Sequence, residues 1–245
     1  MIDIILQYQA SIFVNASDIQ PNPDTMTRLI TLFRDKELIP STFQEIGPKT
    51  PNPTLRLRMS SSNNEWAINF ASERIDIEKT TVGFDNERMG DIEVFYNEVC
   101  ALYERILGIY TKKANRLSLI SGYMLEEMGD VELNEKYFKL FSPPKFYVDN
   151  PPFEWNWRSA SKYTAEFLGE DEYLNVITAI NRAKGQLGKK GQIIPIDRIH
   201  LQYDINTVPE NQDFRFEMPN IRAFLESVSE LQKQFIAEQL EYLNE

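Results

Sequence analysis

Asp76 and Glu78 stand two residues apart, and Asp91 and Glu93 follow them. On a strand that spacing puts Asp76 and Glu78 on one face, where paired carboxylates hold Mg²⁺ or share acid–base work. With 37 acids in 245 residues, neighbouring carboxylates arise by chance, and Arg74 beside Asp76 predicts a solvated, charge-paired face. His200 is the only histidine and alternates with Ile199 and Leu201, so it points with Arg198, Gln202 and Asp204 to the polar face of its strand. Any Ser/His/Asp or Cys/His centre must use it. No Gly-x-Ser-x-Gly turn accompanies it, so a surface or hydrogen-bonded histidine is the better reading. Cys100, the only cysteine, sits mid-helix beside Val99 and Tyr103 with no base or cation nearby, and reads as core.

Gly188-Lys-Lys-Gly191 has the Gly-x-x-Gly form that KH domains use to clamp a nucleic-acid backbone. That use needs a helix straight after the second glycine, and Gln192-Ile-Ile-Pro-Ile196 reads as extended chain instead. A hairpin turn explains the loop without a ligand. Phe146, Tyr147, Phe153, Trp155 and Trp157 crowd a segment that also holds Pro143, Pro144, Pro151 and Pro152. Aromatics of this kind serve either the core or a binding platform. Phe146, Tyr147, Trp155 and Trp157 are therefore the candidate partner-binding residues. The core reading is preferred for at least one tryptophan, with Phe146 and Tyr147 forming the interface. Walker loops, Gly-x-Gly-x-x-Gly, His-Glu-x-x-His and Cys-x-x-Cys do not occur, so no cofactor, no metal and no catalytic residue is assigned.

Composition narrows the partner class. Lys and Arg number 26 against 37 Asp and Glu, a net charge of −11. Phosphate binding needs concentrated Lys and Arg, so nucleic acid is not expected as the main partner. One Cys and one His exclude disulfide frameworks and multi-His or multi-Cys metal sites. The 42% hydrophobic and 26% charged fractions are those of an ordinary globular chain. The start, Met1-Ile-Asp-Ile-Ile-Leu-Gln-Tyr, carries an acid where a signal peptide places Lys or Arg. No stretch approaches the roughly 20 apolar residues of a membrane span. A cytoplasmic location without membrane contact is expected.

These candidates need elements to position them. Residues 2–14 suit a strand, and Gln20–Asp24 a turn whose Asp24 caps a helix carrying Met26, Leu29, Ile30 and Phe33. Gly47–Pro53, with three prolines, reads as a loop. Strands are predicted around Leu55–Arg58, Trp66–Phe70 and Ile75–Glu78, then a helix whose stripe runs from Ile92 to Leu107. A strand at 115–125 and a short helix at 132–141 come next. Strands near 153–167, 172–183 and 196–206 precede a helix over 219–243, with Pro219 in its first turn. Glu73-Arg-Ile-Asp-Ile-Glu78 echoes Asp197-Arg-Ile-His-Leu-Gln202, and each precedes a polar loop and an amphipathic helix. The expected fold is α+β: mostly antiparallel sheet with amphipathic helices on one face, built from a duplicated strand–strand–helix unit. Its halves are 1–128 and 129–245, as two α+β units or one continuous domain.

Trp66-x-Ile68 and Arg74-x-Asp76 before an amphipathic helix, the strand Ile199-His-Leu-Gln-Tyr-Asp-Ile205, and a closing helix with Phe224, Leu231 and Phe235 form one pattern. It resembles a sporadically distributed, uncharacterised bacterial protein family of about this chain's length, over residues 55–245. Patchy distribution in such a family implies mobile or defence-associated genes, and it supplies no catalytic residues. The function expected is a non-enzymatic, cytoplasmic binding or assembly subunit of a bacterial accessory system, partnered by another protein or by itself. The alternative is a metal-dependent hydrolase or nuclease using Asp76 and Glu78, with His200 or Asp204.

Overall fold

A computed structural model describes residues 1–47, 50–167, 169–189 and 192–244. The elements run β1 (Ile2–Phe13), α1 (Pro23–Leu32), β2 (Ile39–Gly47), β3 (Thr50–Ser60), β4 (Trp66–Phe70), β5 (Ile75–Thr80), α2 (Asn86–Met89) and α3 (Ile92–Ile109). There follow β6 (Arg116–Leu125), α4 (Asp130–Phe141), α5 (Lys145–Asp149), β7 (Asn156–Phe167), β8 (Glu170–Lys189), β9 (Gln192–Thr207) and α6 (Met218–Asn244). The chain is α+β. All nine strands form one antiparallel sheet in the order β2-β3-β4-β5-β1-β6-β9-β8-β7, and the helices pack against it.

Alternation decides which face they cover. Tyr8, Ala10 and Ile12 of β1, Ile75 and Ile77 of β5, Leu117 and Leu119 of β6, and Leu201, Tyr203 and Ile205 of β9 are all buried. They meet the stripes of α3 (Phe95, Val99, Tyr103, Ile106) and α6 (Ile221, Phe224, Leu225, Val228) in one core. Helices therefore close one face, and the other carries mostly polar side chains.

Strand order repeats outward from the β1–β6 pair. β5, β4 and β3 follow β1 on one side; β9, β8 and β7 follow β6 on the other. Tyr8 lies opposite Ser121 at the centre of that pair. Ile77 lies opposite Ala10, two residues beyond Tyr8, and Leu201 lies opposite Tyr123, two residues beyond Ser121. The echoing segments thus hold equivalent places in one sheet, and the helices that follow them, α3 and α6, pack on each other. One strand breaks the symmetry: β2 lies outside β3, and among the described residues no strand lies outside β7.

Three expectations need correction. Asn22, not Asp24, caps α1: its side chain accepts from the Thr25 amide, because Pro23 occupies the first helical position. The segment 47–53 is not a loop throughout. Thr50 faces Gly47 across a hairpin and residues 50–53 begin β3, which β4 pairs only from Leu57 onward; prolines are tolerated on such an unpaired edge. β2 itself lacks a clear period-two apolar pattern and was not expected.

Candidate partner-binding surface

α4 stops at Ser142, which has a left-handed backbone (φ 44°), and Pro143–Pro144 prevent its continuation. One short turn, α5, follows before Pro151–Pro152 deliver the chain to β7. This break keeps the local side chains off the core. Phe146 is 66% exposed and Phe153 70%, with Tyr147 and Val148 also exposed. The Phe146 and Tyr147 rings meet edge to face at 5.2 Å, so each covers part of the other.

The four aromatic candidates separate. Trp155 is only 7% exposed and packs on Tyr137 and Phe141 of α4, with ring centroids 6.1 and 5.8 Å away. It is core, held where its carbonyl accepts from the Arg182 amide. Buried Arg182 bridges Asp130 at the start of α4 and Asp197 of β9, at 2.5 and 2.7 Å, which pins α4 over the sheet. Trp157, opposite Ile180 of β8, is partly buried at the core margin.

Trp157 also lines the head of a groove between β7 and α6. Its cavity, about 470 Å³, is walled by Ser159, Ser161 and Tyr163 of β7, Thr178 of β8, Tyr203 of β9 and Phe235 of α6. Farther along, Ala165 and Glu166 face Ser227, Glu230 and Leu231. The cause is sequence: Ser159 and Ser161 stand where the helix-facing rhythm of β7 calls for large apolar side chains. Tyr203 is 1% exposed and its hydroxyl has no hydrogen-bond partner; burial raises its pKa. The two serines, spaced two apart in a strand, are the one sequence signal that could have located this groove.

The carboxylate candidates lie on the open face, in a different setting from the one expected. Asp76 is 3% exposed rather than solvated. Arg74 Nε bonds its Oδ2 at 2.9 Å, while Oδ1 has no partner. Burial raises the pKa of Asp76 despite Arg74. Burial, then the charge of Asp76, raises that of Glu78, which accepts from Asn69 at 3.0 Å. Register places Asp76 in an unbroken polar row across the sheet: Ser41, Arg58, Asn69, Asp76, Ser11, Ser118, Asn206, Asn175 and Lys162.

Asp204 bonds Ser118 and Asn206 at 3.0 and 2.9 Å. It is three strand spacings from β5, roughly 14 Å, so it shares no ligand sphere with Asp76 and Glu78. His200 lies four residues before Asp204 along β9, its Nδ1 3.1 Å from Asn181 Oδ1, with burial lowering its pKa. Among the described residues no group of three His, Cys, Asp or Glu converges as a metal set. Cys100 is buried, and burial pushes its thiol up to about 11. Gly188 and Lys189 continue β8, with Lys189 opposite Gln192 of β9; Lys190 and Gly191 lie outside the described residues.

No family model matches this chain, and no curated protein matches it. Among the described residues, no helix is long and apolar enough to cross a membrane.

Proposed function

We propose that this protein is a non-enzymatic binding or assembly subunit whose partner is another polypeptide. One observation carries the reading: Phe146, Tyr147, Val148 and Phe153 expose four large apolar side chains within eight residues. An exposed aromatic cluster of this kind is the usual anchor of a protein interface. Of the residues named for the enzymatic alternative, Asp76 and Glu78 lie on β5 while His200 and Asp204 lie on β9, three strands away. A cytoplasmic, accessory and defence-associated setting belongs to the same proposal; the accessory and defence part rests on the family resemblance and the location on the sequence reading of the start of the chain.

The test is a pull-down from the native host with wild type and a Phe146→Ser/Phe153→Ser double variant, read by mass spectrometry. The reading expects a stoichiometric partner lost in the double variant while its melting temperature stays that of wild type. A partner profile identical for both proteins would overturn it.

A further inference from the structure

We infer that the groove between β7 and α6 receives an extended segment of a partner protein, added to β7 as a tenth strand, with an apolar side chain entering the cavity over Ser159 and Ser161 and basic residues along its rim. This rests on the polypeptide-binding reading above and names how the partner is held.

The edge is the first argument. β7 pairs with β8 without interruption from Asn156 to Phe167, and it is the last strand of the sheet. Its other side therefore presents alternate backbone N–H and C=O groups with no strand to take them. Exposed edges are normally blunted by proline, bulges or short length. β2, the opposite edge, has Pro40 and a register shift between Glu45 and Gly47. β7 runs twelve residues with no proline and no shift. Internal symmetry adds to this. β3 occupies the place in the first unit that β7 occupies in the second, and β3 has β2 on its outer side. The strand that β2 supplies to one half is missing from the other.

The groove supplies the side-chain pockets that strand addition requires. The two cavities along it lie between β7 residues 157–166 and α6 residues 227–242, which is roughly 30 Å of strand, or nine to ten added residues. Inside the cavity, Ser159 and Ser161 leave the floor beside the β7 edge without large side chains. Trp157, Tyr163, Phe235 and Tyr242 supply the apolar wall.

Charge selects the occupant. Glu166, Glu230 and Glu238 line the groove with Lys162; Lys162 pairs with Glu210 and Glu230 with Lys233, so Glu166 and Glu238 carry the acidic rim. A second copy of this chain would bring the same acidic rim onto itself in an isologous pairing, and with a net charge of −11 it is a poor occupant. A segment alternating apolar and basic residues fits both the pockets and the rim.

The test selects a displayed library of ten-residue peptides, apolar at alternate positions and random between them, on the full chain. Enriched peptides should carry Lys or Arg at the random positions, and the best one should slow amide exchange across residues 157–166. Methylating its alternate backbone nitrogens should weaken binding at least tenfold, since added-strand hydrogen bonds need those N–H groups. Ser159→Trp should fill the cavity and abolish binding without lowering the melting temperature, and Glu238→Lys should weaken it severalfold. Failure to enrich any peptide, enrichment of acidic peptides, indifference to methylation, or protection of β2 instead of β7 would each overturn the proposal. Protection of β7 that grows with protein concentration alone would assign the edge to a second copy and overturn it as well. If the pull-down partner is lost on Phe146→Ser/Phe153→Ser but kept by Ser159→Trp, the groove proposal fails and the polypeptide-binding reading stands.

Discussion

Tyr8 of β1 lies opposite Ser121 of β6, and the sheet reads the same outward from that pair in both directions until β2. Around this centre the covered face is not wholly apolar. Ser121 donates to Gln232 Oε1 of α6 at 2.9 Å, and Gln232 donates to the Leu119 carbonyl at 3.0 Å. A fully satisfied buried pair of this kind fixes how α6 lies on β6. Gln232→Leu should leave the Ser121 hydroxyl unpaired, costing roughly 1–3 kcal/mol, which a urea unfolding curve would show.

Arg56 carries the largest expected loss from a single polar substitution. It is 2% exposed, and its guanidinium donates to the carbonyls of Ala16, Ser17 and Phe70 at 2.6, 3.3 and 3.1 Å. Glu45 lies 3.6 Å away and supplies the compensating charge. Arg56→Ala strands those acceptors and removes the charge that faces Glu45, which keeps only its bonds from Ser72, an expected cost of roughly 3–5 kcal/mol. Calorimetry checks it: a melting temperature within a degree or two of wild type would show that these bonds are dispensable.

Stability should change with pH in two opposed ways. Burial raises the pKa of Asp76 and Glu78, so the folded state holds those protons more tightly than the unfolded chain. Their contribution is present below the ordinary carboxylate range and is lost as pH rises through the raised values. His200 is lowered from 6.5 by burial, so its contribution is present above that value and lost as pH falls through the lowered one. Asp76→Asn should therefore gain stability relative to wild type as pH rises from the carboxylate range to neutrality, and His200→Gln should flatten the loss on acidification. Denaturant unfolding across pH measures both; an Asp76→Asn difference independent of pH would show that the carboxyl titrates normally.

Much of the architecture was legible because long apolar rhythms specify it. The Ile92–Leu107 stripe and the Pro219 start gave α3 and α6, and the Arg–Ile echo of 73–78 and 197–202 located equivalent strands. Edge strand β2 escaped notice because an edge buries little and so carries no apolar period. The burial of Asp76 and Arg56 was hidden for another reason. Period two says which face a residue takes, but not that Arg74 caps one of them or that three carbonyls surround the other. Tyr203 looked like any core aromatic; only the register that sets it beside Thr178, itself beside Ser159, reveals the space over it.

Nucleic acid should bind weakly. The open face does carry Arg58, Arg74 and Arg116, but Arg74 is bound to Asp76, while Arg116 donates to Asn206 at 2.8 Å and lies over the Phe13 ring. Each phosphate contact would have to displace such a partner against a net charge of −11. Fluorescence anisotropy with duplex DNA and single-stranded RNA at about 150 mM salt should give dissociation constants above the micromolar range. Submicromolar binding would reinstate the Gly188–Gly191 loop as a functional element.

Trp155 and Phe153, two residues apart, should report on different properties. Trp155 fills the space between Tyr137 and Phe141, and Trp155→Ala opens a cavity there at an expected cost of about 3–5 kcal/mol. Phe153 and Phe146 touch little, so replacing either with Ser should leave melting unchanged or raise it slightly by removing exposed apolar surface. Binding should reverse the order: truncating a central aromatic anchor costs about 2 kcal/mol or more, roughly thirtyfold in affinity, so the phenylalanine variants lose the partner while folded. Trp157→Ala belongs with the groove, since its ring sits at the core margin and lines the cavity. It should weaken binding of the selected peptide more than it lowers the melting temperature. Paired melts and binding isotherms on the single variants decide this. A wild-type melt for Trp155→Ala, or a collapsed melt for Phe146→Ser, would reverse the assignment of core and interface.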